Sequence, residues 1–257
     1  HIFLVGFIIY AIAMIWLGWF VSRNQKSGED FLLGGRSLPL FLTLGSTVAT
    51  MVGTGSSMGA VGFGYSNGWA GMLYGVGGAV GILLVAWLFA PVRKLRFMTM
   101  SEELSYYTGG SHLIKNIVGL MIFIASIGWL GAHILGGSMY LAWATGIDLT
   151  VAKLIIALAF AIYVIIGGYS AVVWTDTIQA LILFFGFILM AILAVVHVGG
   201  WSAIEQAMDP KAMSLFAIDK MGVLPALSLA LVIGVGVLAT PSYRQRIYSG
   251  KDVPSVR

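Results

Sequence analysis

The sequence predicts an all-α integral membrane protein with seven transmembrane helices, and three observations lead there. Of its 257 residues 59% are hydrophobic and only 9% are charged, where a soluble domain carries roughly 25% charged residues. The apolar runs are continuous and about 20 residues long, the length an α-helix needs to cross a bilayer, whereas barrel strands would alternate over ~10 residues. The 34 glycines let helix backbones approach where no hydrophobic effect drives helices together. Composition also excludes other classes. The chain has no cysteine, hence no disulfide framework and no thiolate metal site, and the distribution of its +4 formal charge speaks for membrane topology rather than nucleic-acid binding.

Taken in order, residues 2–21 are an uncharged run of spanning length, with Trp16, Trp19 and Phe20 near its end as at an interface. A basic leader and a small-residue cleavage site are both missing, which argues against a signal peptide. Residues 22–39 carry Arg23, Lys26 and Arg36, and Pro39 suits the opening of the next helix. That second segment contains GSTVATMVGTGSSMGAVGF at 45–63, apolar enough to enter a bilayer yet too glycine-rich to run through it as a plain helix. Gly53 and Gly55 flank Thr54, with Ser56 and Ser57 following, so a break is predicted there. Irregular backbone at membrane depth survives only where protein buries it or a watery cavity hydrates it, which makes the break a candidate binding site.

The third segment, 69–91, carries Gly71, Gly75, Gly77, Gly78 and Gly81 along a packed helix. RKLRF at 93–97 ends it, and a short surface helix is expected to start at Ser101 with Glu102 and Glu103 in its first turn. The fourth segment, 113–143, holds His133, which reads as a packed histidine with a hydrogen bond. The fifth runs over 149–166, and the sixth, 172–198, has Asp176 and Gln179 near its start. Residues 199–222 are polar. The seventh segment, 223–239, includes the glycines of GVG, Gly234 and Gly236, and runs into Pro241.

Orientation follows from the basic residues. Arg23, Lys26, Arg36, Arg93, Lys94, Arg96, Lys115, Arg244, Arg246, Lys251 and Arg257 fall on one side, against Lys153, Lys211 and Lys220 on the other. The first side is therefore expected to be cytoplasmic and the N-terminus outside, in a multi-pass protein of the cell (plasma or inner) membrane. Segments two and seven are both read as glycine-interrupted spans, five spans apart, the mark of an inverted repeat whose broken helices meet at the midplane.

FLLGGRSL at 31–38 and GGYSAVVWTDTIQA at 167–180 resemble the two most recognisable stretches of the sodium:solute symporter family, the sodium-coupled sugar, proline and pantothenate carriers. The resemblance implies a leucine-transporter-type (5+5) inverted-repeat fold with one extra helix in front, all in one transmembrane domain. Residues 2–21 would be the extra helix, 40–198 the first five-helix repeat and 223–243 the first helix of the second. It also implies a sodium ion against the carbonyls of Ala49 and Val52, and Asp176 on the ion path. Gly53, Thr54, Ser56 and Ser57 are expected to line the cavity of a small organic solute, with Tyr74, Gly234 and Gly236. Met51 and Gly53 stand where sodium/proline carriers have aspartate and serine, and Gly75 stands where sugar carriers have glutamate, which speaks against a sugar. The missing C-terminal half of the carrier is expected as a partner, and the chain alone is expected not to transport.

Other readings stay open at this point. Asp176 could cap the sixth segment instead, since a helix N-terminus welcomes an anion. GSSMG at 55–59 matches the G-x-S-x-G of a serine nucleophile elbow; an intramembrane hydrolase would need a base near Ser57, for which only His133 is deep enough, and the elbow requires a preceding strand that a membrane span rules out. A bundle that senses a ligand for a fused signalling domain is a third reading.

Overall fold

The computed structural model describes residues 2–257, and these contain helices and no named β-strand. In chain order the helices are α1 (Ile2–Ser22), α2 (Gly28–Leu33), α3 (Leu40–Met51), α4 (Val61–Asn67), α5 (Met72–Phe89), α6 (Met100–Tyr107), α7 (His112–Thr145), α8 (Leu149–His197), α9 (Trp201–Ala207), α10 (Ile218–Met221), α11 (Val223–Ala239) and α12 (Pro241–Ser249). A π-type turn, Gly55–Ala60, leads into α4.

By length and composition four helical stretches can cross a membrane, Ile2–Ser22, Gly55–Leu95, His112–Thr145 and Leu149–His197, and α11 with α12, bent by 47°, makes a fifth. Three of these stretches are longer than one perpendicular crossing, and the two longest turn back. At 1.5 Å per residue the 41-residue and 49-residue stretches would extend over ~60 and ~75 Å, against a hydrocarbon core of ~30 Å. Each turns at one glycine. Gly68 has φ 64° and ψ −133°, and Gly168 has φ 56° and ψ −156°, values open only to a residue without Cβ. Across Gly168 the hydroxyls of Tyr163 and Thr175 bond to each other, so α8 is two limbs folded back on themselves. The fifth and sixth segments are thus parted by a single residue rather than by a loop over 167–171.

Three other expectations are corrected. The seventh segment is not interrupted at GVG: α11 runs unbroken through Gly234 and Gly236 to Ala239, and the break falls at Thr240 (φ −83°, ψ 121°) before Pro241. Proline lacks the N–H a continuing helix needs, whereas a helical glycine costs only ~1 kcal/mol. The surface helix is capped by Thr99, whose hydroxyl accepts from the Glu102 N–H at 3.3 Å, and Ser101 lies inside it. Residues 22–39 are no plain loop either: α2 begins with a capping box in which Ser27 and Asp30 satisfy each other's backbone N–H groups.

The two ends of the bundle are built differently. At the basic end the buried Arg36 guanidinium donates to the carbonyls of Arg96 (2.8 Å), Phe97 (3.0 Å) and Tyr248 (3.3 Å). Fully buried Glu103 meets Arg244 at 3.3 Å and accepts from the Tyr107 hydroxyl at 3.0 Å and from Tyr248. Burial and the Glu103 carboxylate push the Tyr107 hydroxyl up to about 12. At the opposite end the Trp69 N–H donates to the Ala212 carbonyl at 3.0 Å and Lys220 reaches the Ser66 carbonyl at 2.7 Å. Between the ends, α5 packs on α11 along a glycine seam. A Cβ on Gly77 would stand 2.4 Å from the Ala230 carbonyl oxygen, and one on Gly81 would stand 2.6 Å from that of Gly234.

Candidate functional site

The site begins at the end of α3. Val52 leaves the helical region (φ −93°, ψ 94°), and its N–H reaches back to the carbonyls of Ala49 (3.2 Å) and Val48 (3.3 Å). Beyond it the chain closes its own break. The Gly53 carbonyl accepts from the Ser57 N–H (2.9 Å) and from the hydroxyls of Ser56 (3.0 Å) and Ser57 (2.6 Å), while the Gly53 N–H donates to Ser56 Oγ at 2.9 Å. Both serines therefore serve first as local replacements for the lost helical hydrogen bonds, which is what lets so irregular a segment sit between apolar helices.

The break opens on a cavity of about 1180 Å³, walled by α3, α7, α8 and α12. Of the residues singled out in the sequence, Ala49, Val52, Gly53, Thr54, Ser57 and Asp176 line it together. Ser56 and Tyr74 line a second cavity of about 520 Å³ towards Trp69 and Trp201. Gly234 and Gly236 line neither. Gly234 lies on Gly77 and Gly81 in the α5–α11 seam, and a Cβ on Gly236 would meet open space.

Asp176 does not cap a helix. It lies on the second limb of α8, where its Oδ2 accepts from the Ser46 hydroxyl at 2.7 Å and from Arg246 Nη2 at 3.2 Å. Arg246 also donates to Ser46 Oγ (2.8 Å from Nη2, 3.2 Å from Nε) and to the Ser242 carbonyl (3.1 Å). Three elements, α3, α8 and α12, are thus tied by one charged knot at the floor of the cavity, a costly arrangement in a membrane that holds because each charge has its partner. Sequence reasoning does not find Arg246 and Ser46, because Arg246 falls among the other basic residues of its side and no spacing rule links positions 46, 176 and 246.

His133 on α7 is a packed histidine with a hydrogen bond, as expected: Nδ1 lies 3.0 Å from Thr54 Oγ1, and the ring meets Trp129 edge-on at 5.7 Å. Its described hydrogen bond goes to Thr54 and the Ser57 hydroxyl goes to the Gly53 carbonyl, so the base–nucleophile hydrogen bond a serine hydrolase needs is not formed. Among the described residues no cluster of three or more His, Cys, Asp or Glu could hold a metal ion. The donors at the break are backbone and hydroxyl oxygens, the hard oxygen set an alkali cation takes.

A polytopic helical protein with a helix broken at a cavity is the architecture of a membrane carrier. The sodium:solute symporter family profile matches residues 31–257, and the chain belongs to that family. Solute carrier family 5 member 4A of Mus musculus is 31% identical over 77% of this chain and 31% of its own length. The sodium/proline symporter of Salmonella typhimurium is 28% identical over 98% of this chain and 52% of its own. Sodium/glucose cotransporter 1 of Ovis aries is 30% identical over 76% and 30%. The chain thus spans about a third to a half of the length of these relatives. A solved Na+-coupled sialic acid symporter, substrate-bound and outward-open, superposes with a TM-score of 0.68 at 22% identity, over 97% of this chain and 59% of its own, which shows a shared fold. These relatives are carriers, not enzymes.

Proposed function

We propose that the chain forms the ion-binding part of a sodium-coupled symporter that imports a small organic solute by alternating access. The observation that carries this reading is the break at Val52 and Gly53, which opens on a cavity whose floor is the Asp176–Arg246 pair. Where α3 stops, its last carbonyls turn their negative ends outward, and those of Ala49 and Val52 would face sodium. Thr54 and Ser57 would face the solute from the same wall. The naming of the relatives as sodium-coupled symporters supports the ion.

In this reading the two long stretches each count twice, at Gly68 and Gly168, which makes seven spans: α1 in front, residues 40–198 as a five-span repeat, and 223–243 opening an inverted second one. Two breaks support it, at Val52 and at Thr240, because each divides the first helix of its repeat. The N-terminus would lie outside and the basic end in the cytoplasm, in the cell membrane. Relatives carry further sequence beyond the matched stretch, and helices of that kind would complete the cavity wall. The test is thermal stabilisation of the purified full-length protein across L-proline, pantothenate, N-acetylneuraminate and D-glucose, in sodium against potassium. Stabilisation by one solute that requires sodium is expected; equal response in potassium would refute the coupling.

A further inference from the structure

Thr54 differs from most threonines of the spans. Thr47, Thr50, Thr145, Thr177 and Thr240 each donate to the carbonyl four residues back, but the break removes that acceptor from Thr54. Among the described hydrogen bonds its hydroxyl has one partner, Nδ1 of His133 at 3.0 Å. The neutral tautomer in which the hydroxyl donates and Nδ1 accepts carries its ring proton on Nε2. That N–H has no protein acceptor among the described residues, on a side chain that lines the cavity beside the break. Gly53 fits the same arrangement. A Cβ there would stand 2.7 Å from His133 Cε1, so the residue is glycine because the imidazole lies against its Cα.

We propose that His133 is a specificity-determining residue, holding Thr54 through Nδ1 while its Nε2–H donates to an acceptor oxygen of the solute, a carboxylate, carbonyl or hydroxyl. This rests on the symport reading for the solute, and the Nε2–H tautomer is part of the proposal. The two are tested separately on the full-length protein. In two-bond ¹H–¹⁵N spectra of ring-labelled protein, the His133 signals, assigned by their loss in His133→Asn, should show the Nε2–H tautomer at neutral pH; the Nδ1–H tautomer overturns the proposal. Asparagine keeps an amide near the Nδ1 position but has no donor at Nε2, and glutamine does the reverse. For the solute found by the sodium-dependent panel, His133→Asn should raise the half-saturating concentration about tenfold, equivalent to ~1.4 kcal/mol. His133→Gln should leave it near the wild-type value, and sodium dependence should be unchanged in both. Equal losses in both variants, a loss in glutamine alone, or no loss in either would overturn the proposal. If no solute of the panel responds, it is the symport reading that fails, and the tautomer alone decides this one.

Discussion

Asparagine at position 176 would be a mild change if Asp176 capped a helix, because asparagine caps as well. The structure predicts otherwise. Asp176→Asn keeps the Ser46 bond but removes the charge that faces Arg246, whose side chain is 8% exposed, while that of Asp176 is 20% exposed. Removing one partner of a buried pair costs ~3–5 kcal/mol because the survivor is left charged and unpaired. The partial exposure of Asp176 places the expected loss at the lower end, ~3 kcal/mol, or about a hundredfold in the ratio of folded to unfolded protein. Arg246→Gln should cost a similar amount by exposing the carboxylate to the same deficit. The double variant, neutral on both sides and still able to hydrogen-bond, should recover at least ~1.5 kcal/mol of the summed losses. Equilibrium unfolding in mixed micelles, followed by tryptophan fluorescence for all four proteins, measures the cycle. Single losses below ~1 kcal/mol, or additivity within ~0.5 kcal/mol, would refute the knot as a structural tie.

Orientation can be read without background labelling because the chain lacks cysteine: impermeant thiol reagent on intact cells should label Met213→Cys and spare Gly28→Cys, and the reverse pattern would invert the topology. In the α5–α11 seam, Gly77→Ala should destabilise the protein by ~1–3 kcal/mol, since the rigid Ala230 carbonyl cannot swing aside. Gly75→Ala on the same helix, where a Cβ meets nothing within 4 Å, should be neutral or slightly stabilising in thermal unfolding. Gly53→Val should insert normally into the membrane yet lose sodium-dependent stabilisation, because a branched side chain has no room at position 53 and would shift the backbone that carries the Ala49 and Val52 carbonyls; wild-type sodium dependence in that variant would remove the break from the site.

How much of this was legible in the chain depended on whether the physics was local. The spans were readable because a helix in lipid must satisfy its backbone internally over about 20 apolar residues, a constraint that leaves long uncharged runs such as 2–21 and 113–143. The break near Gly53 was readable for the same reason, as glycines and serines replaced helix formers within one turn. The break after α11 was misplaced onto GVG because glycine in sequence does not say whether it bends its own helix or admits a neighbour. Gly234 does the second, and only the presence of α5 against it shows that. The turn at Gly168 was seen as a boundary, but that one residue suffices for it depends on the two limbs of α8 bonding through Tyr163 and Thr175. At the site, the sequence sets a lone carboxylate near the start of the sixth segment, open to an ion-path or a capping role. That the partner is Arg246, with Ser46 between them, was decided by tertiary structure. The division of labour between Ser56, Ser57 and Thr54 was likewise beyond the chain alone, because a hydroxyl takes whichever acceptor the fold brings within 3 Å.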